Sequence, residues 1–491
     1  MESDEMSKVE REGGSPPKVL VDYLEKNAGT KIIKWFWVSS NGFVYARTTT
    51  AAQSLALATT ATPIKVHVSC IGGFTPINSM DPVFVSRTGR TSIVPDWCSL
   101  RMINSTRAAV QCCVSEDLAL YRSLAMLSSF QRCPRSCLQR VLGVALEKFG
   151  MVFLGGFEVE FYLLDLAGTA GVVDKSSAEI PMAQPSWRSW SSATCMRGPR
   201  AACVEDCMLA LEAVGLVVTQ GHSECSVDQF EIPLGPLPLV AAVDALIAAR
   251  EIIKETAAKH GFFACFFPKP LDNKEPTGLH LHLSAHQSAE LPEREELWVD
   301  QLTQPASRAK HKMSKLSADS FLAGILDRFA MLCAFGLPTV DSYHRSANKF
   351  VMGNFVAWGK ANSSVPLSEV GTGHWEIRSL DWGANVYIAV AAFLSAGLLG
   401  LARDEPLRWK DPGGLTYELQ PEEREGFGIV ELIPASFDEA LLGLIQRQYG
   451  GLEEYMGHEI LDLYVTVKQK EHEHMRSLSD EERRRALIAH Y

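Results

Sequence analysis

Two glutamates separated by one residue, Glu158 and Glu160, lie inside the apolar stretch Phe157–Phe161. In a β-strand, side chains two positions apart point to the same face of the sheet. Two carboxylates on one apolar face are costly to bury unless a partner compensates their charge. One interpretation of this pair is an edge strand with a solvated acidic face. The other is a strand whose carboxylates hold a divalent cation.

Later segments repeat the arrangement. Glu224 and Glu231 are seven residues apart, so a turn through Ser226–Asp228 is needed to bring both carboxylates to one pocket. His280 and His282 alternate with leucines, which predicts a strand with one apolar face and one imidazole face. The pair of histidines on one face is a better ligand candidate than a lone histidine.

A fourth segment places an acid between two basic residues. His374, Glu376 and Arg378 alternate with Trp375 and Ile377, so the three polar side chains share one face of a predicted strand. Together the four segments supply five carboxylates and one to three imidazoles. Oxygen-rich sites with one imidazole suit Mg or Mn better than Zn, which favours nitrogen and sulfur ligands.

These segments, in this order, resemble the glutamine synthetase family, in its type-I-like, FluG-like branch. The similarity extends from about Lys31 to the C-terminus. The matching segments are Gly156–Phe161, Glu224–Glu231, Phe267–Pro270, His280–Ser284, Asp341–Arg345, Ala357–Asn362, Trp375–Arg378 and Ala384–Ala389.

The resemblance implies an α+β fold with a small N-terminal β-grasp domain and a large catalytic domain, in which an antiparallel sheet forms a funnel flanked by helices. We expect a disordered tail at residues 1–16, because that segment is charged and rich in glycine and proline. The β-grasp domain is expected at 17–114 and the catalytic domain at 115–491. Asn41–Gly42, between two apolar runs, predicts a β-hairpin.

The resemblance also implies two metal sites, for Mg or Mn. One set of ligands would hold the metal beside the amino-acid substrate: Glu160, Glu224 and Glu231. The other set would hold the metal beside the nucleotide phosphates: Glu158, His280 and Glu376. All six residue types are retained in this chain.

Four further residues match substrate contacts of the family. His282 and Ser284 match nucleotide contacts, and Arg345 and Arg378 match the arginines that grip substrate carboxylates. The implied activity is that of an ATP-dependent ligase, which joins ammonia or an amine to the side-chain carboxylate of glutamate through an acyl phosphate. Family members form rings in which the N-terminal domain completes a neighbour's site, so a ring-shaped homo-oligomer is expected.

The chain departs from the family pattern at three phosphate-binding arginines, which are replaced by Ser363, Ser368 and His374. Positive charge against phosphate oxygens is central to phosphoryl transfer, so these losses should weaken ATP-dependent chemistry. Lys349 and Lys360 are candidates for partial replacement of that charge.

A second departure concerns the flap that carries a catalytic glutamate in classical members, where Val351 stands near that position. Two alternatives to a ligase therefore stay open. One is a catalytically impaired binding or regulatory scaffold that keeps the fold. The other is a metal-dependent hydrolase on the same fold, because metals activate water without ATP.

Composition limits the remaining function classes. A hydrophobic content of 46% and a charged content of 21% are ordinary for a globular enzyme, and the net charge of −11 argues against nucleic acid as a partner. The acidic N-terminus is unlike a leader peptide, so we expect a cytoplasmic protein with reduced thiols among its 12 cysteines. The uncharged run Val386–Ala402 is rich in small residues, which predicts a buried helix rather than a membrane span.

Overall fold

The computed structural model describes residues 15–67, 70, 90–115, 130–165, 190–271, 274–288, 311–347 and 349–488. The tail expected at 1–16 lies outside these residues except for Ser15 and Pro16. The described chain belongs to the α+β class, as expected, with two separate sheets and with helices packed on the larger one. The domain boundaries after residues 16 and 114 stay predictions.

The N-terminal sheet has five strands in the order β2-β1-β5-β4-β3. The strands are β1 (Ile32–Val38), β2 (Val44–Thr50), β3 (Ile64–His67), β4 (Arg90–Asn104) and β5 (Arg107–Ser115), with helices α1 (Lys18–Lys26) and α2 (Ala51–Thr59). β1 and β5 are parallel, whereas the other neighbours are antiparallel. The predicted hairpin is confirmed, because β1 pairs with β2 and Gly42 has a φ of +97°, which glycine adopts without strain.

The larger sheet has ten strands, and β6 lies at its centre. Its main path is β13-β14-β15-β11-β6-β8-β7, with β9 and β10 paired to β6 and β12 paired to β11. The pairs are antiparallel except β13 with β14. The strands are β6 (Met151–Asp165), β7 (His222–Ser223), β8 (Gln229–Pro233), β9 (Leu237–Pro238), β10 (Phe262–Cys265), β11 (Leu279–Gln287), β12 (His311–Lys312), β13 (Trp358–Lys360), β14 (Leu367–Gly371) and β15 (His374–Ile377).

The remaining helices come after β5 along the chain, and most of them alternate with or follow the strands of the larger sheet. They are α3 (Pro134–Phe149), α4 (Gly198–Ala213), α5 (Leu239–Lys259), α6 (Lys315–Asp327), α7 (Phe329–Gly336), α8 (Val340–Ser346), α9 (Lys349–Met352), α10 (Val386–Ala402), α11 (Pro421–Gly426), α12 (Phe437–Gln446), α13 (Glu453–Met456), α14 (His458–Arg476) and α15 (Asp480–Ile488). Ser436 caps α12 by accepting a hydrogen bond from the backbone N–H of Glu439 at 3.2 Å.

The alternation predicted for β6 separates its two faces. Phe157, Val159 and Phe161 are at most 1% exposed and belong to the main hydrophobic core. Glu158 and Glu160 therefore point to the other face of the strand. The apolar contacts fix the position of the strand, and the strand in turn fixes where its carboxylates emerge.

The uncharged run forms α10, and its buried position confirms the sequence-based prediction. Small residues let it approach α6 closely: a Cβ on Gly324 would lie 2.3 Å from the carbonyl oxygen of Ala396. Side chains of ordinary size would hold the two helices apart. Among the described residues, none of the helices is both long enough and apolar enough for a membrane span.

The N-terminal hairpin is tied to the larger domain by buried polar groups. The side chain of Asn385, which caps α10, donates to the carbonyl oxygen of Ser39 at 2.8 Å. Lys468, which is 1% exposed, donates to the carbonyl oxygen of Asn41 at 3.5 Å and pairs with Glu471 at 2.8 Å. Buried polar groups need such partners, so these contacts specify how the small sheet docks.

Candidate active site

Strand register places the polar residues of four strands beside one another on one face of the larger sheet. Glu158 of β6 lies opposite His280 of β11, and Glu160 lies opposite Glu231 of β8. On the far side of β11, His282 lies opposite Glu376 of β15. The residues singled out from sequence alternation are therefore brought to one surface. Directly opposed pairs in a sheet have their Cβ atoms about 5 Å apart.

Two histidines hold the carboxylate of Glu158. His280 Nδ1 and His282 Nε2 each lie 2.8 Å from a different oxygen of Glu158. Burial alone would raise the pKa of Glu158, but the hydrogen bonds from His280 and His282 outweigh burial and lower its pKa well below the usual range. Burial opposes a charged imidazole at His282, yet the hydrogen bond to Glu158 raises the pKa of His282. His280 Nδ1 also lies 3.4 Å from Glu376 Oε1, so His280 joins β6 to β15.

The predicted turn brings Glu224 back toward Glu231. The backbone N–H of Glu224 donates to the carbonyl oxygen of Gln229 at 2.8 Å, and Gln229 N–H donates to Ser226 at 3.1 Å. His222, at the start of this hairpin, lies 3.4 Å from a carboxylate oxygen of Glu224 and 3.2 Å from one of Glu231. The ligand atoms of His222, Glu224 and Glu231 lie within 4.8 Å of one another.

Glu160 lies between these two groups and is almost fully buried. Its Oε2 accepts hydrogen bonds from the backbone N–H of Gly278 at 2.8 Å and from Gln229 Nε2 at 3.2 Å. A Cβ on Gly278 would lie 2.7 Å from Glu160 Oε1 and 2.8 Å from Arg345 Nη2. The site therefore requires glycine at this position.

The crowding of carboxylates changes their titration. Burial, and then the neighbouring Glu160 and Glu231 carboxylates, raise the pKa of Glu224 to about 9. Burial, followed by Glu158, Glu160 and Glu376, raises the pKa of Glu231 to about 9. Such values indicate a shortage of positive charge in the pocket.

The donor set fits divalent cations. Three groups offer ligand atoms that all lie within 4.8 Å of one another: Glu158, Glu231 and His280; His222, Glu224 and Glu231; and Glu158, His282 and Glu376. Each group holds two carboxylates and one imidazole, which suits Mg or Mn. A bound cation would supply the positive charge that the raised pKa values of Glu224 and Glu231 indicate is missing.

Arg345 is a buried arginine with unused donors. It is 1% exposed, and its Nη2 lies 3.4 Å from His280 Nε2 and 3.3 Å from the carbonyl oxygen of Arg378. Its Nε and Nη1 find no hydrogen-bond partner among the described residues. Burial raises the pKa of the nearby Asp381 to about 6, although Arg345 opposes this shift. Buried donors without partners are costly, so a ligand with oxygen acceptors is the expected partner of Arg345.

Arg378 is engaged on two sides. Its Nη1 pairs with Glu376, and its Nε and Nη2 donate to the carbonyl oxygen of Val351 at 3.2 and 3.1 Å. Arg378 therefore fixes the backbone of α9 against the acidic face. The side chain of Val351 supplies no acid at the flap position.

The outer end of the face carries Ser284, which lies opposite His374 in the strand register. Ser284 Oγ lies 2.9 Å from His286 Nε2. His282, with 31% of its side chain exposed, is more open to solvent than His280 at 6%. His282, Ser284 and His374 thus line the more accessible part of the site.

The three positions at which the family resemblance implies arginine differ in their surroundings. Ser363 is exposed, whereas Ser368 is 2% exposed and lies opposite Glu376. Lys360 lies at the register position of Glu369, which pairs with Trp375 on the opposite face of the sheet from Glu376. The register therefore argues against Lys360 as a substitute cation, and the side chain of Lys349 lies outside what the structure describes.

Sequence reasoning missed His222, and it gave no role to Gln229 and Gly278. His222 stands two residues before Glu224, the same spacing that drew attention to Glu158 and Glu160. The two-residue spacing in the sequence could therefore have indicated His222 as a candidate. The roles of Gln229 and Gly278 arise from contacts with Glu160, which is 69 and 118 residues distant in sequence. No local pattern indicates those contacts.

A small mixed sheet beside a larger antiparallel sheet with a carboxylate and imidazole face is the architecture of glutamine synthetases and their structural relatives. An apo structure of GmaS superimposes with a TM-score of 0.72 at 21% identity, covering 94% of this chain and 97% of that one. A GmaS complex with ADP gives 0.71 at 22% identity, covering 95% and 98%. At these identities the likeness shows the fold.

Sequence comparison gives the family. The family description "Glutamine synthetase, catalytic domain" matches residues 131–486, and the chain belongs to the glutamine synthetase family. Protein fluG of Emericella nidulans is 30% identical over 412 residues, which are 83% of this chain and 43% of fluG. The chain thus spans less than half the length of that relative. Gamma-glutamylpolyamine synthetase GlnA3 of Streptomyces coelicolor is 29% identical over 71% of each chain. The predicted membership, in the FluG-like branch, is confirmed.

The pocket predicts stabilisation by metal. Mg or Mn should raise the melting temperature by mass action, and Glu160→Ala and Glu231→Ala should each remove most of that rise. Glu369→Ala is the matched control, because Glu369 lies on the opposite face of the sheet. Thermal melts over a metal titration measure the effect. An unchanged rise in both site variants would contradict the cluster.

The raised pKa values of Glu224 and Glu231 predict a pH dependence in metal-free protein. Between pH values near the ordinary pKa of 4.5 and the folded pKa of about 9, the folded state keeps protons on Glu224 and Glu231 that the unfolded chain has already released. The stabilisation is therefore complete at low pH and is lost as pH rises through that window. Glu231→Gln should flatten the decline in melting temperature across this range. A slope equal to that of the unmodified protein would argue that Glu231 is ionised throughout.

Proposed function

We propose that this chain is an ATP-dependent carbon–nitrogen ligase, which joins ammonia or an amine to the side-chain carboxylate of glutamate through an acyl phosphate. One observation carries the proposal. Carboxylates and imidazoles of four segments lie in groups of three with ligand atoms within 4.8 Å, and one of them, His280, contacts Arg345, a buried arginine with unused donors. Relatives support it: GlnA3 is named as a gamma-glutamylpolyamine synthetase, and a fold neighbour is solved with ADP.

The two metal positions rest on family membership, and neither ligand set coincides with one of the three groups of ligand atoms within 4.8 Å of one another. Glu160, Glu224 and Glu231 would hold Mg or Mn beside the amino acid, and the second set would hold it beside the phosphates: Glu158, His280 and Glu376. When bound, the cations neutralise phosphate charge. The protein holds the ligand side chains in position before a cation binds. Gly278 and Gln229 hold Glu160, and two histidines hold Glu158.

Arg345 and Arg378 would position glutamate. The free Nε and Nη1 of Arg345 would each donate to an oxygen of the substrate, from different edges of the guanidinium. Arg378 orients Glu376 and the backbone at Val351. Holding the substrate in this way lets its side-chain carboxylate attack the terminal phosphorus of ATP, with ADP leaving, before the amine displaces phosphate.

His282 and Ser284 would contact the nucleotide, because they lie on the same strand as His280 and closer to solvent. In this arrangement the phosphates would lie between the outer end of the face and the acidic pocket. A ring-shaped homo-oligomer and a cytoplasmic location are further parts of the proposal, and both rest on family membership.

A second candidate is a binding or regulatory scaffold. The replacement of three arginines by Ser363, Ser368 and His374 favours it, as does the position of Lys360 on the opposite face. ADP release by purified protein with Mg or Mn, glutamate and a panel of amines distinguishes the two. The ligase requires turnover that depends on both glutamate and an amine. Metal binding without turnover on any amine would favour the scaffold.

Arg378→Ala should weaken glutamate binding and leave ATP binding nearly unchanged. Loss of a charged hydrogen-bond donor costs about 1.5–3 kcal/mol, or roughly 10- to 150-fold in Kd. Calorimetry with each ligand separates the effects, and Arg408→Ala, at an exposed arginine paired with Asp327, is the control. Equal losses for glutamate and ATP would show that Arg378 acts only by holding Val351 and Glu376 in place.

Restoring the three arginines should raise the rate of amide formation. Ser363→Arg, Ser368→Arg and His374→Arg are combined, since residues that act as a unit are not additive. Because Ser368 is buried, the double variant without Ser368→Arg is assayed in parallel. We expect slow turnover in the unmodified protein and a gain of roughly tenfold or more with restored phosphate contacts. Full activity without the changes would show that other cations supply the charge.

A further inference from the structure

The backbone of Gly278 lies against three side chains to which the proposed function gives a role. A Cβ on Gly278 would lie 2.7 Å from Glu160 Oε1 and 2.7 Å from His280 Nε2. The same Cβ would lie 2.8 Å from Arg345 Nη2. Gly278 is the last residue of the loop 274–278, which leads into β11. The position of this loop therefore determines the wall of the pocket at which the three side chains meet.

Three side chains from β6 and from the hairpin that contains β8 hold the loop 274–278. The hydroxyl of Tyr162 donates to the carbonyl oxygen of Glu275 at 2.6 Å. The backbone N–H of Glu275 donates to Ser226 Oγ at 3.0 Å. Gln229 Nε2 donates to the carbonyl oxygen of Pro276 at 2.8 Å. Two successive residues of the loop are thus tied to the sheet just before the chain reaches Gly278.

Tyr162 connects the loop to the acidic face. It stands two residues after Glu160 in β6, so both side chains lie on the same face of the strand. Its register partner in β8 is Gln229, whose Oε1 lies 3.3 Å from the Tyr162 hydroxyl and whose Nε2 donates to Glu160 Oε2 at 3.2 Å. Burial raises the pKa of the Tyr162 hydroxyl well above its usual range, so this group remains a hydrogen-bond donor at neutral pH.

We propose that Tyr162 is a positioning residue for the amino-acid substrate, because its hydroxyl holds the loop 274–278 and so places Gly278 against Glu160 and Arg345. The inference rests on the proposed function, in which Arg345 binds glutamate. Phenylalanine would fill nearly the same volume but would leave the carbonyl oxygen of Glu275 without this donor. The hydroxyl therefore carries the role, and a small displacement of groups that orient a substrate is enough to weaken catalysis.

Tyr162→Phe tests the hydroxyl alone. Hydrogen exchange followed by mass spectrometry should show faster exchange of the backbone amides in the loop 274–278. In assays of ADP release, KM for glutamate should rise about 2- to 10-fold, as expected for the loss of one hydrogen bond. KM for ATP should stay unchanged, because the proposed nucleotide contacts, His282 and Ser284, lie further along β11.

Tyr464→Phe is the matched control, because Tyr464 is also fully buried and its hydroxyl donates to a backbone carbonyl oxygen, that of Ala334, at 2.8 Å. This control should change neither exchange in the loop nor KM for glutamate. The proposal would be overturned by unchanged loop exchange in Tyr162→Phe, or by faster exchange with equal effects on glutamate and ATP. Absence of glutamate-dependent turnover in the unmodified protein would instead contradict the proposed ligase, and loop exchange would still show whether Tyr162 holds the loop.

Discussion

The burial of five carboxylates on one sheet face is the constraint on which the rest of this structure depends. Carboxylates brought together away from water repel one another and lose hydration, so each needs a hydrogen-bond donor, a proton or a cation. The protein uses the first two within its own chain. Hydrogen bonds from two histidines lower the pKa of Glu158, whereas burial and the neighbouring carboxylates raise the pKa of Glu224 and of Glu231 to about 9. A bound cation would be the third way to compensate the carboxylates, and the crowded face would then serve as a binding site.

Solvent exposure and side-chain composition change from one end of the face to the other. Its inner end is acidic and closed, with Glu160 and Glu231 less than a tenth exposed and Arg345 buried beside them. Its outer end carries His282 and His374 and is more open. The inner end is therefore the part of the face where carboxylates are crowded away from water.

The framework around the face reaches into the small N-terminal sheet. Asn385 caps α10 and also binds the carbonyl of Ser39, while Lys468 of α14 binds that of Asn41. Arg135 at the start of α3 pairs with Asp244 of α5 and Asp96 of β4, each at 2.8 Å. These buried contacts connect the hairpin and β4 to helices that pack on the larger sheet. A buried ion pair of this kind adds little net stability but penalises any other docking of the two sheets.

Local sequence pattern is enough to predict the strands, the hairpin and the buried helix. Strand periodicity sets the alternating glutamates and histidines. Turn chemistry sets the Asn41–Gly42 hairpin, and the uncharged composition of Val386–Ala402 sets a buried helix. The order of the motifs indicates the family. Tertiary structure decided which groups meet. The partners of Glu160 come from positions 69 and 118 residues away, Lys360 falls on the wrong face by strand register, and Arg378 binds a backbone carbonyl instead of pointing freely into the pocket. Register and long-range packing set these contacts, and the pKa values follow from them because electrostatic interaction depends on distance and burial in the folded chain.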